Sequence, residues 1–368
     1  MPGHWSFANP VEIDFGAARF AHVGPRIAGR RYALVTYGDP VFAELTQRLT
    51  TVAGPAAVVI DDVQPNPDFV ALAPACARLR GAGIGLIVAL GGGSAIDTAK
   101  VLAASGGEFD AVRSHLESGG KAKLPAPLPI VAIPTTAGTG SEVTCWATVW
   151  DGERKRKHSL ADPRLYPEAA IVDPTLTHSL PRGLTLSTGL DALSHALESL
   201  WNRNANPVSA TYAVAAAREI LDVLPALLDR LGDAGLRARM AQAAVFAGLA
   251  FSNTKTALAH SLSYDVTLHH GVPHGIACSF TLPQVMRAAI GADADCDARL
   301  AAIFGADLRA GADRFADTLR AMGLRLEPAA YGVEAAAWRR FVDKAIGGER
   351  GQNFIGARER VLESFAST

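Results

Sequence analysis

The chain has 368 residues, 49% hydrophobic and 19% charged, with 35 Lys and Arg against 36 Asp and Glu and a formal net charge of −1. At roughly 150 residues per domain about two domains are expected, with enough chain to bury a core unaided by disulfides. The balanced charge excludes an electrostatic footprint for nucleic acid or an anionic membrane, so neither is expected as a partner.

The opening MPGHWSFANP lacks the basic and apolar regions of a signal peptide, and no uncharged apolar run reaches the ~18 residues of a spanning helix. Cys76, Cys145, Cys278 and Cys296 form no CxxC pair, which argues against a disulfide framework or a thiolate zinc site and for a reducing, cytoplasmic setting. Short apolar runs between turn residues predict strands: VEIDF at 11–15, YALVTY at 32–37, AAVVI at 56–60, GLIVAL at 85–90, PIVAIP at 129–134 and AAIVD at 169–173. Helical stretches such as 41–49 and 69–81 lie between them, the alternation of a mostly parallel sheet covered on both faces. Beyond Leu180-Pro181 the strand signal fades, and helices are predicted over 209–231, 236–250, 313–322 and 335–346. The expected fold class is therefore an α/β N-terminal domain over 1–182 with a nucleotide-binding crevice, followed by an all-α domain over 183–368. The basic run ERKRKH at 153–158 reads as a solvated loop.

In GLIVALGGGSAIDTAK, at 85–100, a strand runs through three glycines into a helix for which Ser94 would serve as N-cap. Such a loop either packs helix on strand or lets backbone N–H groups and the helix dipole receive a phosphate, here a pyrophosphate. PIVAIPTTAGTGSEVT, at 129–144, repeats the plan with Thr135, Thr136, Gly138, Thr139, Gly140 and Ser141. Two such loops at the carboxyl ends of neighbouring strands mark the crevice where open α/β sheets bind ligands.

In STGLDALSHALES, Asp191 and His195 stand four apart and project from one helix face. A lone pair of this kind is ordinarily a surface contact. The stretch 257–275 adds His260, His269, His270 and His274 in a chain with ten histidines. One carboxylate with two or three imidazoles is a borderline ligand set suited to Fe(II) or Zn(II), with a position left for a substrate oxygen.

These motifs, in this order across nearly the whole chain, resemble the iron-containing (group III) alcohol dehydrogenases, which share the dehydroquinate synthase-like superfold. The resemblance implies metal ligation by Asp191, His195, His260 and His274, with His269 and His270 outside the ligand set. It implies cofactor contacts from Gly92, Gly93, Ser94, Asp97, Thr135, Thr136, Thr139, Thr144 and Lys157. The implied reaction is hydride transfer between NAD(P)H and a small aldehyde or its alcohol, with Fe2+ or Zn2+ polarising the oxygen, in a homodimer or higher homo-oligomer.

Two positions depart from the family pattern. Tyr37 follows the second strand where many relatives have an aspartate that repels a 2′-phosphate, with Asp39 two residues on, which leaves both NADH and NADPH as cofactors. Tyr264 stands four residues after His260 where many relatives have a histidine, and a phenol near pKa 10 is the poorer proton relay. The run SNTKTALAHSLSYDV before PHG resembles the phosphonoacetaldehyde reductase branch, with Lys255 and His270 as substrate-side residues. The alternatives are a maleylacetate reductase-like enzyme and a non-redox, dehydroquinate synthase-like lyase. The lyase is disfavoured because its site typically uses Glu and two His. Lys255 lies five residues before His260, about 140° round a helix from it, so it can serve a common pocket only if the helix begins near Ala257.

Overall fold

A computed structural model describes residues 4–365, which form two compact units, one of residues 9–179 and the other of residues 180–365 with 4–8. The start of the chain thus belongs with the helical unit and not with the α/β domain. Ala8 N–H donates to Asn253 Oδ1, Asn253 Nδ2 donates back to the Ala8 carbonyl, and Phe7 stacks on Tyr212 at 5.9 Å.

The α/β unit has strands β1 (Glu12–Phe15), β2 (Tyr32–Val35), β3 (Val58–Ile60), β4 (Leu86–Gly91), β5 (Ile130–Pro134), β6 (Trp146–Asp151), β7 (Arg156–Ala161) and β8 (Ala169–Val172). Its helices are α1 (Val23–Ile27), α2 (Pro40–Ala53), α3 (Phe69–Ala77), α4 (Gly93–Ser105) and α5 (Phe109–Glu117). Six strands make one sheet in the order β1-β8-β5-β4-β2-β3, every pairing parallel. Both faces are covered, which is why the strands read as unbroken apolar runs. Ala33, Val35, Ile87 and Ala89 enter one core, while Tyr32, Leu34, Leu86 and Val88 enter the core on the opposite face. β2 lies between β3 and β4, so the chain reverses direction across the sheet between β2 and β4. The loops after these two strands flank the switch point.

The sequence reading missed the antiparallel hairpin β6–β7. Half of the run read as a solvated loop is strand: β7 begins at Arg156, and Lys157 Nζ stands 5.7 Å from the Trp150 ring centre.

The helical unit comprises α6 (Arg182–Leu200), α7 (Pro207–Asp229), α8 (Ala234–Thr254), α9 (Leu258–His270), α10 (His274–Ser279), α11 (Leu282–Ala289), α12 (Ala294–Phe304), α13 (Leu308–Ala321), α14 (Ala335–Gly347) and α15 (Arg358–Phe365). α6 is apolar on nearly all sides, its residues from Gly189 to Leu200 all buried, as befits a central helix. Among the described residues no helix is long and apolar enough to cross a membrane.

One buried cation ties the α/β unit's two glycine-rich loops together. Lys100 on α4 has no exposed surface, and its Nζ donates to the Ser141 carbonyl (2.6 Å), Ser141 Oγ (2.9 Å), Thr144 Oγ1 (3.1 Å) and the Trp146 carbonyl (2.8 Å). Burial pushes the ammonium down to about 8, against the pull of the Asp97 carboxylate. Lys100→Met leaves these acceptors without their donor and should destabilise the unit by about 3 kcal/mol. A denaturant midpoint unchanged from wild type would show that the four bonds contribute nothing net.

Candidate functional site

The dinucleotide motifs meet at the switch point of the α/β unit. α4 begins at Gly93 with Gly92 as its N-cap, two residues earlier than the Ser94 cap expected, and Ser94 Oγ instead accepts from Asn66 N–H at 3.2 Å. The glycines are required by close approach. A Cβ on Gly93 would lie 2.6 Å from Thr139 Cγ2, one on Gly92 3.2 Å from Thr136 Cγ2, and one on Gly91 2.7 Å from the Tyr37 ring. Thr135 N–H donates to the Gly91 carbonyl at 3.0 Å, so the second loop is stitched to the first. Backbone at a helix start, unshielded by side chains, is the cradle a pyrophosphate needs.

The other residues expected at the nucleotide have defined partners within the protein. Asp97 Oδ1 accepts from Ser141 Oγ (2.6 Å) and Oδ2 from Thr148 N–H (2.8 Å). Burial raises its pKa, opposed by Lys100, Ser141, Thr148 and Lys157. Asp97 and Thr144 thus brace the loops from behind. Asp39 is the exposed N-cap residue of α2, and Tyr37 packs on Phe42 with ring centres 4.8 Å apart.

In the helical unit three imidazoles converge on one carboxylate oxygen. Asp191 Oδ1 lies 3.8 Å from His195 Nε2, 3.5 Å from His260 Nε2 and 4.0 Å from His274 Nε2. Asp191 and His195 come from successive turns of α6, His260 from the first turn of α9, and His274 is the first residue of α10. The His195 ring is held between Phe251 at 4.0 Å and His260 at 4.7 Å. Asp191 Oδ1 and His260 Nε2 are buried without a hydrogen-bond partner, an arrangement that is costly unless a further group joins them. Burial would raise the Asp191 carboxyl, but the neighbouring imidazoles of His195, His260 and His274 hold it well below the usual carboxylate range. An ionised oxygen facing three ring nitrogens is a site for positive charge, and the donor set fits a divalent transition metal.

His269 and His270 stay outside the cluster. His269 Nε2 lies 3.6 Å from Asp265, and both rings pack near Phe341, at 6.1 and 6.2 Å. Tyr264 is half-buried one turn after His260. Lys255 falls in the break between α8 and α9 with φ 64°, half exposed, its Nζ 3.9 Å from Glu349.

Two neighbours of the cluster were not singled out from sequence, Cys278 and Glu198. Glu198, three residues after His195 on α6, is wholly buried. Its Oε2 accepts from His260 Nδ1 (2.5 Å) and Ala257 N–H (3.0 Å), and its Oε1 from Ala259 N–H (2.6 Å) and His260 N–H (3.2 Å). Burial raises the Glu198 carboxyl, yet His260 and these backbone donors bring it below its ordinary value, so the carboxylate accepts and Nδ1 carries the proton. With Nδ1 committed to Glu198, His260 presents Nε2 to Asp191. Glu198→Gln should weaken divalent-cation binding about 10- to 100-fold in a chelator competition. An unchanged Kd would reduce Glu198 to a helix cap.

The sequence of residues 10–174 matches the iron-containing alcohol dehydrogenase family model, and residues 185–363 match the C-terminal model of the Fe-containing alcohol dehydrogenase family. Over 274 residues the chain is 38% identical to phosphonoacetaldehyde reductase of Streptomyces viridochromogenes, a match covering 72% of this chain but only 65% of that relative. It is 35% identical over 290 residues to the NAD-dependent methanol dehydrogenase of Bacillus methanolicus, covering 76% of this chain and 74% of that one. The fold superposes with a TM-score of 0.90 on the crystal structure of sulfoacetaldehyde reductase from Bifidobacterium kashiwanohense in complex with NAD+, at 31% identity, covering 99% and 98% of the two chains. Both halves of the sequence and the whole fold agree: this chain belongs to the iron-containing alcohol dehydrogenase family.

Proposed function

We propose that this protein is a metal-dependent, NAD(P)H-linked reductase of a small aldehyde bearing a phosphonate or similar anion, phosphonoacetaldehyde being the first candidate. The observation that carries the reading is the convergence of three imidazole Nε2 atoms on Asp191 Oδ1. When bound, the metal supplies Lewis acidity at the carbonyl oxygen and the reduced nicotinamide a hydride, so that aldehyde, NAD(P)H and a proton give alcohol and NAD(P)+. In this reading Asp191, His195, His260 and His274 hold the cation, and Glu198 orients His260. The loops at Gly92, Gly93, Thr136 and Thr139 receive the pyrophosphate. The Tyr264 hydroxyl, one helical turn from His260, delivers the proton to the product alkoxide. The anionic substrate class is supported by two relatives named for acetaldehydes that carry a phosphonate and a sulfonate. We place the enzyme in the cytoplasm as a homodimer or larger homo-oligomer, with nucleotide binding assigned to the α/β unit and metal binding and catalysis to the helical unit.

Lys255 supplies the matching charge. α9 begins at Leu258 with Ala257 as its N-cap, so Lys255 stands in the connection ahead of that helix and escapes the unfavourable 140° of a continuous one. Its ammonium can leave the exposed Glu349, an ion pair worth little in water. Lys255→Ala should raise KM for phosphonoacetaldehyde far more than for acetaldehyde. Equal effects on both would remove Lys255 from substrate binding, and oxidation of neither cofactor by any anionic aldehyde in Fe(II)- or Zn(II)-loaded protein would remove the substrate class.

Cofactor choice rests on the switch point, where the Tyr37 ring lies over Gly91 in place of a ribose-binding carboxylate. Tyr37→Asp should shift kcat/KM toward NADH over NADPH by about fivefold to tenfold, roughly 1 kcal/mol. An unaltered ratio would locate the discrimination elsewhere.

A further inference from the structure

The metal reading uses one carboxylate and three imidazoles, yet the cluster contains a fifth donor. Cys278 lies one turn beyond His274 on α10, with its Sγ 3.6 Å from His274 Nε2 and 3.8 Å from Nδ1. One ligand atom from each of Asp191, His260, His274 and Cys278 lies within 4.8 Å of all the others. Two ligands about 2.3 Å (sulfur) and 2.1 Å (nitrogen) from a five-coordinate metal, about 90–120° apart, are themselves about 3.1–3.8 Å apart, a range that contains the Sγ to Nε2 separation found here.

This position leaves little freedom. α10 is pressed onto α6, since a Cβ on Gly275 would fall 1.8 Å from the Ser187 carbonyl oxygen. Next to the cysteine, Ser279 Oγ donates to the Leu190 carbonyl at 3.0 Å and lies 2.9 Å from Ser194 Oγ. These contacts bracket Asp191 on the facing helix and fix Cys278 relative to it. The thiol is wholly buried, as are the partnerless Asp191 Oδ1 and His260 Nε2 that face the same space. A buried sulfur beside two unsatisfied polar atoms is shielded from the chemistry of a surface-reactive thiol.

We propose that Cys278 is a sulfur ligand to the divalent cation of this site, an inference that rests on the cluster being a metal centre. Binding converts the thiol to a thiolate with release of one proton to solvent. No electrons are exchanged. The soft donor favours Zn(II) over Fe(II) relative to an oxygen- and nitrogen-only set, so this chain's own residues bias its metal content.

The test uses the full-length protein stripped of metal and reloaded with one equivalent of Co(II). The expected spectrum contains a thiolate-to-cobalt charge-transfer band in the near ultraviolet. That band should vanish in Cys278→Ser while the visible d–d bands and the bound cobalt remain. Cobalt bound without the band, or a band surviving in Cys278→Ser, overturns the sulfur ligand and leaves the metal centre standing. No bound cobalt in wild type overturns the metal centre itself. If Cys278→Ser does not fold, X-ray absorption of the Zn(II)-loaded wild type decides the matter: a zinc–sulfur shell near ~2.3 Å is expected, and a shell of nitrogen and oxygen alone overturns the proposal.

Discussion

A carboxylate with no exposed surface, Glu198, sets the geometry on which the helical unit's chemistry depends. Left unpaired, a buried anion costs several kcal/mol, so α6 and α9 can pack only in a register that brings donors to both of its oxygens. The donors all come from residues 257–260, three backbone N–H groups and one imidazole. The requirement therefore fixes the start of α9 and the orientation of its histidine together. Once His260 is fixed, its Nε2 reaches Asp191, and the stacked ring of His195 follows at 4.7 Å.

The α/β unit solves a related problem with the opposite charge. Lys100 is a buried cation whose four acceptors lie on and just after the second glycine-rich loop, and its own helix begins at the first. A buried anion thus arranges donors suited to a cation in one unit, and a buried cation arranges backbone suited to an anion in the other.

Spacing made much of this visible before any coordinates. The pairs Asp191/His195 and His260/His274 lie in helical and helix-start contexts, and the structure brings their ligand atoms to one oxygen. The parallel strands announced themselves because burial on both faces leaves no polar alternation. The hairpin β6–β7 did not, since β7 starts inside the basic run and carries a mostly polar, partly exposed pattern. Glu198 was hidden for a different reason. In the sequence it is one more acid on a helix, and its importance comes from donors 59 to 62 residues away. Cys278 carries no such spacing signal, because thiolate sites usually show as CxxC pairs, whereas here one cysteine lies among histidines. Lys255 and His270 were legible only as residue types, and their contacts with Glu349 and Phe341 depend on the packing of α14 and the turn after it.

The backbone bonds of Glu198 also bear on how this unit folds. Ala257, the N-cap residue of α9, has no side chain that could accept an N–H, so the helix takes its cap from α6. Starting a helix is its costly step, and here the groups that offset that cost arrive only with a tertiary contact. An early α6 standing alone would already align Asp191 and His195 on one face, while His260 waits for α9. That helix start cannot precede docking, so the first turn of α9 and a competent His260 form in one cooperative event.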